Sequence, residues 1–351
     1  MSLPSPVKVQ ELRNSLHAKA KGSPNYRFYA LYDKVYRTDV LAHADQCCKA
    51  NQGSAGVDGQ RFEDIEAYGL ERWLGELQQE LKDKSYRPSA VLRVWIPKPD
   101  GTQRPLGVPT IKDRVAQMTA VVVLEPIFEA DLEPEPYAYR PGRSALDAVS
   151  RVVQLLQTGH RQVVGADLSG YFDSIPHAEL LKSLARRISD GAMLHLLKLW
   201  LCTAVEEVDE RGRTHRTTRN RDEGKGTPQG APISALLSNL YVRRFVRGWK
   251  TLGHQERHQA FIVNYADDLV LCCRGQAQEA LAVGWANYFC LGSVSKAYRI
   301  VDEHLRYRLR MWLNHKHKVR LGVHPIDAEE SRVLGLICLT GRKGSLPWAK
   351  A

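Results

Sequence analysis

The chain has 351 residues, 43% of them apolar and 25% charged, which is the composition of a soluble globular protein with two or three domains. It has no apolar leader and no run of about 18 uncharged apolar residues, so we expect neither secretion nor a membrane partner. Fifty Lys and Arg against 39 Asp and Glu give a net charge of +11, an excess that favours nucleic acid as the partner.

The cysteines favour a reducing environment. There are seven of them, an odd number, and they form no Cys-x-x-Cys pair. This pattern fits neither a zinc ribbon nor a disulfide framework. Because free thiols persist where glutathione keeps them reduced, we expect a cytoplasmic protein.

Hydrophobic periodicity and turn residues predict an alternation of helices and short strands. Residues 1–25 are polar and basic without strong periodicity, and we expect them to form a loosely ordered lead-in. The elements that follow are predicted as a helix over 62–84, a strand over 90–96, its partner strand over 104–109, helices over 111–128 and 144–157, a strand over 162–166, a helix from Pro176, a charged hairpin over 205–222, a helix over 233–249, and two strands over 261–265 and 269–273.

Three aspartates stand at the ends of predicted strands. Asp167 directly follows the strand over 162–166, and Asp267 and Asp268 lie in the turn between the last two strands. Crowded carboxylates repel one another, and a hard cation such as Mg²⁺ relieves that repulsion. Two such ions can stabilise both the attacking and the leaving oxygen of an in-line phosphoryl transfer. Solvated turn residues are the alternative interpretation of an Asp-Asp pair.

Several multi-residue motifs accompany these aspartates. Three of these features together resemble the active-site set of reverse transcriptases. They are Tyr265-Ala-Asp-Asp268, Asp167 at a strand end, and the loop Thr227-Pro-Gln-Gly230. From about residue 26 onward, the chain resembles still more closely the reverse transcriptase/maturases that group II introns encode. The blocks that carry this resemblance are Gly53-Ser-Ala-Gly-Val-Asp-Gly59, Ile96-Pro-Lys-Pro-Asp-Gly101, Arg104-Pro-Leu-Gly-Val-Pro-Thr-Ile-Lys-Asp-Arg114, Leu124-Glu-Pro-Ile-Phe128, Tyr139-Arg-Pro-Gly-Arg-Ser144 and Gly226-Thr-Pro-Gln-Gly-Ala-Pro-Ile-Ser234.

The resemblance implies a role for each aspartate and for one aromatic residue. Asp167 and Asp267 match the two carboxylates that bridge the metal ions, and Asp268 matches the supporting third. Phe172 matches the aromatic residue that packs under the incoming sugar, where a bulky ring clashes with a 2′-hydroxyl. A core aromatic residue beside Tyr171 is the alternative interpretation of Phe172.

The resemblance also implies the groups that hold the incoming nucleotide and the template. Lys98 and Arg104, on the two arms of the predicted hairpin, match fingers residues that grip the triphosphate. Gln229 and Gly230 match the loop that packs on the template and the nascent base pair. Solvated hairpin charges are the alternative for the first pair, and a helix-entry turn is the alternative for the second.

The chain departs from the family pattern after Asp268. Only the short segment 269–283 separates the catalytic hairpin from Gly284-Trp-Ala-Asn-Tyr-Phe289, which resembles the maturase region. In the family, the rest of the palm, the primer grip and much of the thumb stand between these two motifs. A segment this short cannot form those elements, so the sequence predicts an internal deletion.

Residues 284–351 form the basic end of the chain. They hold 12 Lys and Arg against 5 Asp and Glu, which accounts for +7 of the net +11. An apolar stripe predicts a helix after Ser295, and the resemblance implies that this region binds intron RNA. A solvated surface helix is the alternative. The basic residues in question are Arg299, Arg306, Arg308 and Arg310.

The implied fold is α+β and has the fingers and palm of a right-hand polymerase. Helices back an antiparallel palm sheet in this fold, and a small basic helical maturase remnant follows it. The corresponding domains are the lead-in over 1–25, fingers over 26–160, a palm over 161–283 that is truncated after its hairpin, and the maturase-like region over 284–351.

The implied function is RNA-directed DNA synthesis coupled to intron splicing and mobility. Its cofactor would be a pair of Mg²⁺ ions, or Mn²⁺ in their place. Its partners would be intron RNA as template, a DNA or RNA primer, and deoxynucleoside triphosphates. An RNA-binding maturase-like protein, or a decayed remnant, without processive polymerase activity is the alternative.

Overall fold

The computed structural model describes residues 5–97, 103–168, 170–209 and 211–274. Outside the described residues lie Lys98, residues 275–283 of the short segment at the predicted deletion, and the four predicted RNA-binding arginines. The helices are α1 (Val7–Gly22), α2 (Tyr32–Val35), α3 (Thr38–Ala50), α4 (Phe62–Tyr68), α5 (Leu70–Lys82), α6 (Ile111–Glu129), α7 (Ala145–Gln157), α8 (Tyr171–Ser174), α9 (His177–Ala185), α10 (Gly191–Leu201), α11 (Arg219–Asp222), α12 (Pro232–Thr251) and α13 (His254–His258). The strands are β1 (Val91–Pro97), β2 (Gln103–Val108), β3 (Gln162–Asp167), β4 (Val205–Val208), β5 (Thr214–Thr217), β6 (Ala260–Tyr265) and β7 (Asp268–Cys273).

The chain divides into two units, each discontinuous in sequence. The first unit comprises Met1–Ala145, Asp167–Arg244 and Tyr265–Asp267, and the second comprises Leu146–Ala166, Phe245–Asn264 and Asp268–Ala351. This division does not follow the predicted boundary between fingers and palm at residues 160 and 161. That boundary therefore stays a prediction.

The N-terminal segment is helical, so the predicted loosely ordered lead-in over residues 1–25 is wrong there. The 16 residues of α1 bury Val9, Leu16 and Ala20, and Arg13 pairs with Glu125 of α6 at 2.5 Å. These buried residues are spaced by seven and four positions, which is one narrow stripe of a helix. The stripe is hard to recognise in the sequence because the rest of the helix surface is polar.

The helix predicted over residues 62–84 is two helices. Gly69 separates α4 from α5 and has a φ of +103°, a conformation that glycine adopts without steric cost. After this break, α5 buries Trp73, Leu77 and Leu81, which follow one another at a spacing of four residues. The kink thus lets the longer helix turn its apolar stripe toward the core.

α6 lies in the core of the first unit. Most of its 19 residues are buried, as expected of a helix that other elements surround. Thr110 caps its first turn, because the threonine hydroxyl accepts a hydrogen bond from the Asp113 N–H. Leu41 of α3, Leu77 of α5 and Leu197 of α10 belong to the same buried cluster as α6.

A four-stranded sheet in the first unit has the strand order β2-β1-β4-β5. β1 and β2 form the predicted hairpin, in which Ile96 lies opposite Arg104, and β4 and β5 form the predicted charged hairpin. β1 pairs in parallel with β4, with Val91 opposite Val205. This last pairing joins the two hairpins into one sheet, and no local pattern indicates it.

The second unit contains a three-stranded sheet in the order β3-β7-β6. Its end residues Asp167 and Tyr265 are assigned to the first unit. Ile262 and Leu271 are buried, and the indole N–H of Trp249 in α12 donates to the carbonyl of Ala260 at 3.1 Å. The predicted strands around the Asp267-Asp268 turn are therefore confirmed, with a helix against them.

Candidate active site

The backbone brings two of the three predicted carboxylate positions together. Asp167 is the last residue of β3, and the N–H of the next residue, Leu168, donates to the carbonyl of Asp267 at 3.0 Å. Both residues belong to the first unit. The strand end and the hairpin turn are thus adjacent, although the side chain of Asp167 itself lies outside the described part of the structure.

The turn between β6 and β7 presents the Asp-Asp pair. Ala266 has a φ of +56°, which allows a tight turn between the strands. Asp267 is half-buried and Asp268 is exposed. The carbonyl of Asp268 accepts a hydrogen bond from the side-chain amide of Asn264 at 3.0 Å, and this bond closes the turn across the hairpin.

An aromatic cluster surrounds Phe172. Its ring is 6% exposed and packs edge-on against Tyr171, with ring centroids 5.7 Å apart. Tyr171 is anchored in turn, because its hydroxyl donates to the carbonyl of Ser238 at 2.6 Å. Burial raises the pKa of Tyr171, and the nearby Tyr241 and Asp267 raise it further. Phe172 is thus a buried aromatic residue close to the predicted catalytic turn, which leaves both of its interpretations open.

Tyr139 extends this cluster toward solvent, and it was not among the predicted site residues. Its ring lies 6.4 Å from that of Phe172 and the residue is 52% exposed. Partial burial raises the pKa of the Tyr139 phenol, Asp267 and Tyr265 raise it further, and Arg104 lowers it. Tyr139 therefore lies within electrostatic range of residues from the turn and from the fingers hairpin. The sequence signal that could have identified Tyr139 as a site residue is its position at the start of the Tyr139–Ser144 motif.

The glycine-rich loop over residues 224–230 is fixed to the helices beside Phe172. The N–H of Thr227 donates to the carbonyl of Phe172 at 2.8 Å, and the N–H of Gly226 donates to that of Ile175 at 2.9 Å. A ring nitrogen of His177 donates to the carbonyl of Gly226 at 2.7 Å. These bonds hold the loop in register with the residues that carry the predicted sugar contact.

The other end of the loop meets β2 backbone to backbone. The N–H of Gly107 donates to the carbonyl of Gln229 at 2.6 Å. A Cβ atom at Gly107 would lie 2.9 Å from a methyl carbon of Val91, and one at Gly230 would lie 2.7 Å from the carbonyl oxygen of Gly107. Both glycines are therefore required for this close approach. The role of Gly107 was missed, because a lone glycine in a strand also fits a bulge.

Arg104 is exposed on β2, where a guanidinium can reach a ligand in solvent. Its predicted partner Lys98 lies outside the described residues, so the pair cannot be placed together. Arg104 belongs to the same unit as four other predicted site residues, which are Phe172, Gln229, Gly230 and Asp267.

The chemistry of the carboxylates suits a hard cation. Aspartate oxygens are the ligands that Mg²⁺ and Mn²⁺ prefer, and the bond between Leu168 and Asp267 joins the backbones that carry Asp167 and Asp267. Among residues with described side chains, no group of three or more His, Cys, Asp or Glu forms a cluster that could hold a metal. The Asp167 carboxylate lies outside that part of the structure, so the predicted trio stays a prediction.

The family comparison gives this arrangement its context. Residues 96–338 match the family described as reverse transcriptase (RNA-dependent DNA polymerase), which is more than half of the chain. The chain belongs to this family. The match continues beyond residue 283, so it does not mark the predicted boundary between palm and maturase-like region. The α+β class and the reverse transcriptase fingers and palm are confirmed.

Two curated relatives are both more than 30% identical to this chain. Protein YkfC of Escherichia coli (strain K12) is 34% identical over 243 residues, which cover 68% of this chain and 61% of that protein. The group II intron-encoded protein LtrA of Lactococcus lactis subsp. cremoris is 31% identical over 216 residues, 61% of this chain and 34% of that protein. The resemblance to the group II intron type is thereby confirmed.

The chain spans less than two thirds of the length of both relatives. A third relative, nuclear intron maturase 2 (mitochondrial) of Arabidopsis thaliana, is 31% identical over 115 residues, 32% of this chain and 16% of that protein. In the described ranges, no helix of this chain is both long and apolar enough to cross a membrane.

Proposed function

We propose that this chain is an RNA-directed DNA polymerase of the group II intron type, which acts with intron RNA in splicing and mobility. The observation that carries the proposal is the hydrogen bond from Leu168 to Asp267. It supports a shared site for the carboxylates of Asp167 and Asp267 within a chain of this family. A cytoplasmic location stays a prediction from the free thiols.

Asp167, Asp267 and Asp268 would hold two Mg²⁺ or Mn²⁺ ions. Bound ions would supply charge stabilisation for the attacking and leaving oxygens of the phosphoryl group. The half-buried position of Asp267 partly shields its carboxylate from water, which strengthens its interaction with a cation. The role of the three aspartates is to fix where the primer end and the nucleotide meet.

The incoming deoxynucleoside triphosphate would lie between the fingers hairpin and Phe172. Arg104 on the exposed arm of β2 would bind the triphosphate through its guanidinium, with Lys98 from the opposite arm. Gln229 and Gly230 would lie along the template and nascent base pair, because the loop brings backbone close to backbone where Gly230 meets Gly107. The Phe172 ring would disfavour a 2′-hydroxyl.

A second candidate is an RNA-binding maturase-like protein without processive synthesis. The short spacing between Asp268 and Gly284 favours it, since a primer grip and thumb normally occupy that place. The basic region over 284–351 would bind RNA in either case. The two candidates differ in whether primer extension occurs at all.

Primer extension on an RNA template tests the proposal. We expect extension by the full chain with Mg²⁺, and a loss of about a hundredfold or more in Asp167→Ala and in Asp267→Ala. Asp83→Ala is the matched control, because Asp83 is an exposed aspartate whose described contact is with Gln79. Normal extension by Asp267→Ala would overturn the assignment of the site, and RNA binding without extension by the unmodified chain would select the second candidate.

A further inference from the structure

The ring of Tyr139 is the exposed face of the aromatic cluster at the candidate active site. Tyr139 is 52% exposed and Phe172 is 6% exposed, and their ring planes meet at 76°. Edge-to-face contacts of this kind fix the relative orientation of two rings. A ligand that approaches Phe172 from solvent therefore meets Tyr139 as well.

The backbone holds Tyr139 in an unfavourable conformation. Its φ of +57° lies in the left-handed region, which residues with side chains rarely adopt. Both neighbours are anchored: the carbonyl of Ala138 accepts from the side chain of Asn239 at 2.9 Å, and the buried Arg140 binds Glu129 at 2.6 Å. Backbone strain that neighbours maintain in this way is characteristic of functional positions.

The charged surroundings of Tyr139 come from two different parts of the candidate site. Asp267 belongs to the turn that would hold the metal ions, and Arg104 belongs to the hairpin that would hold the triphosphate. Both act electrostatically on the Tyr139 phenol. In a nucleotide, the sugar is joined directly to the phosphate that reacts. A ring that packs on Phe172 and lies within electrostatic range of both Asp267 and Arg104 is thus near the place where that sugar would lie.

We propose that Tyr139 is a specificity-determining residue, which forms with Phe172 the wall against which the sugar of the incoming nucleotide packs. This inference rests on the proposed polymerase function. A 2′-hydroxyl against two apolar ring surfaces loses its hydration without gaining a hydrogen-bond partner. Ribonucleotides are therefore disfavoured by the pair of rings more strongly than by Phe172 alone.

The test compares kcat/KM for dCTP with kcat/KM for CTP in primer extension by full-length variants. Tyr139→Gly removes the ring and accepts the positive φ, so the backbone is preserved. We expect it to lower the preference for dCTP by about tenfold or more. Tyr139→Phe keeps the ring and should change the preference by less than about twofold. When Tyr139→Gly is combined with Phe172→Ala, the losses of preference for dCTP should be less than additive, because both substitutions remove the same wall.

The matched control is Tyr137→Ala in the same loop, whose ring lies under the Arg143 guanidinium, 5.1 Å from the ring centroid. We expect this variant to keep the preference for dCTP. A purely structural role of Tyr139 would lower the rates with dCTP and CTP equally and leave their ratio unchanged, and that result would overturn the inference while the polymerase function stood.

A measurement that needs no polymerase activity separates the two proposals further. The equilibrium constant for unfolding is measured for four proteins: the unmodified chain, Tyr139→Gly, Phe172→Ala and the double variant. Together the four values form a thermodynamic cycle. If the two rings interact, the unfolding constant of the double variant should differ by roughly 2- to 10-fold from the value that the two single variants predict independently. No coupling would overturn the two-ring wall. Absence of primer extension in the unmodified chain would instead overturn the proposed function, and the cycle would still decide whether the rings act together.

Discussion

The carbonyl oxygen of Gly107 leaves no room for a side chain at Gly230. A Cβ atom there would lie 2.7 Å away, and Gly230 has a φ of +110°, so any other residue is both crowded and strained. Because the carbonyl belongs to β2, the clash can be relieved only if the loop and the strand that carries Arg104 move apart. The loop and the fingers hairpin are therefore coupled through two glycines.

We predict that Gly230→Ala destabilises the fold by about 1–3 kcal/mol and raises KM for the nucleotide more than it lowers kcat. Chemical denaturation and steady-state primer extension measure the two effects. The control is Gly75→Ala, because Gly75 lies inside α5 with nothing within 4 Å of its added Cβ atom. This control should instead stabilise the fold by about 0.5–1 kcal/mol. Equal stability of Gly230→Ala and the unmodified chain would contradict the close approach.

Asp190 links two elements through one carboxylate. Its Oδ1 accepts the N–H groups of Ala192 and Met193 at the start of α10, at 3.0 and 3.1 Å. Its Oδ2 accepts the N–H groups of Leu31 and Tyr32, each at 2.8 Å. Burial alone raises the pKa of Asp190, but these four bonds outweigh burial and hold it below its usual range. The residue therefore caps α10 and fixes the start of α2 to it.

We predict that Asp190→Asn costs about 1–3 kcal/mol at neutral pH, because an amide cannot accept all four N–H groups. A lowered pKa stabilises the fold above the ordinary aspartate pKa of about 4, and this contribution is lost as the pH falls through the folded-state value. The difference in the free energy of unfolding between the unmodified chain and Asp190→Asn should thus narrow below about pH 4. Urea denaturation across pH measures it.

The control for Asp190 is Asp83→Asn, an exposed aspartate at the end of α5 whose described contact is the side chain of Gln79 at 2.7 Å. We expect a change within about 0.5 kcal/mol for this variant. If the gap for Asp190→Asn stayed constant from pH 7 to pH 3, the carboxylate would not be the group that the four N–H groups stabilise.

The charge of the whole molecule is concentrated at one end of the sequence. Residues 284–351 supply +7 of the net +11. We predict that changing Arg299, Arg306, Arg308 and Arg310 together to Gln reduces the slope of log K against log salt for RNA binding by about 2 to 3, since each phosphate contact contributes about 0.7. Filter binding over a range of salt concentrations measures the slope.

A control variant makes the same change of charge in another region of the chain. Changing Arg61, Arg72, Lys82 and Lys84 to Gln removes four exposed positive charges from the part of the chain around α4 and α5. We expect it to leave the slope within about 1 of the unmodified value. If both variants flattened the slope equally, net charge rather than a contact by residues 284–351 would account for RNA binding.

The short segment after the predicted catalytic hairpin bears on how the whole molecule holds its primer. Positioning contributes to catalysis only when the primer end is held close to its reactive geometry. The resemblance implies that the segment 269–283 stands in place of the elements that do this in the family. We predict feeble, distributive extension, measured with an excess of trap template. Long products from single binding events would show that another segment or a second subunit holds the primer.

The sequence by itself determined the order of most elements, the strand-end positions of Asp167 and Asp267, and the family. These features depend on local periodicity, on turn residues and on motifs in which neighbouring residues act together. The α1 helix was missed and the 62–84 helix was predicted as one, because a narrow apolar stripe and a single glycine are weak signals.

Only the tertiary structure decided the parallel pairing of Val91 with Val205, the bond from Gly107 to Gln229 and the contact of Tyr139 with Phe172. Each joins residues that lie far apart in the sequence. Their geometry depends on how complete elements pack around the common core of α6, and no local preference of either partner specifies it. Tyr139 shows this most clearly, because its strained backbone is maintained by Asn239, which binds the preceding carbonyl from far along the chain.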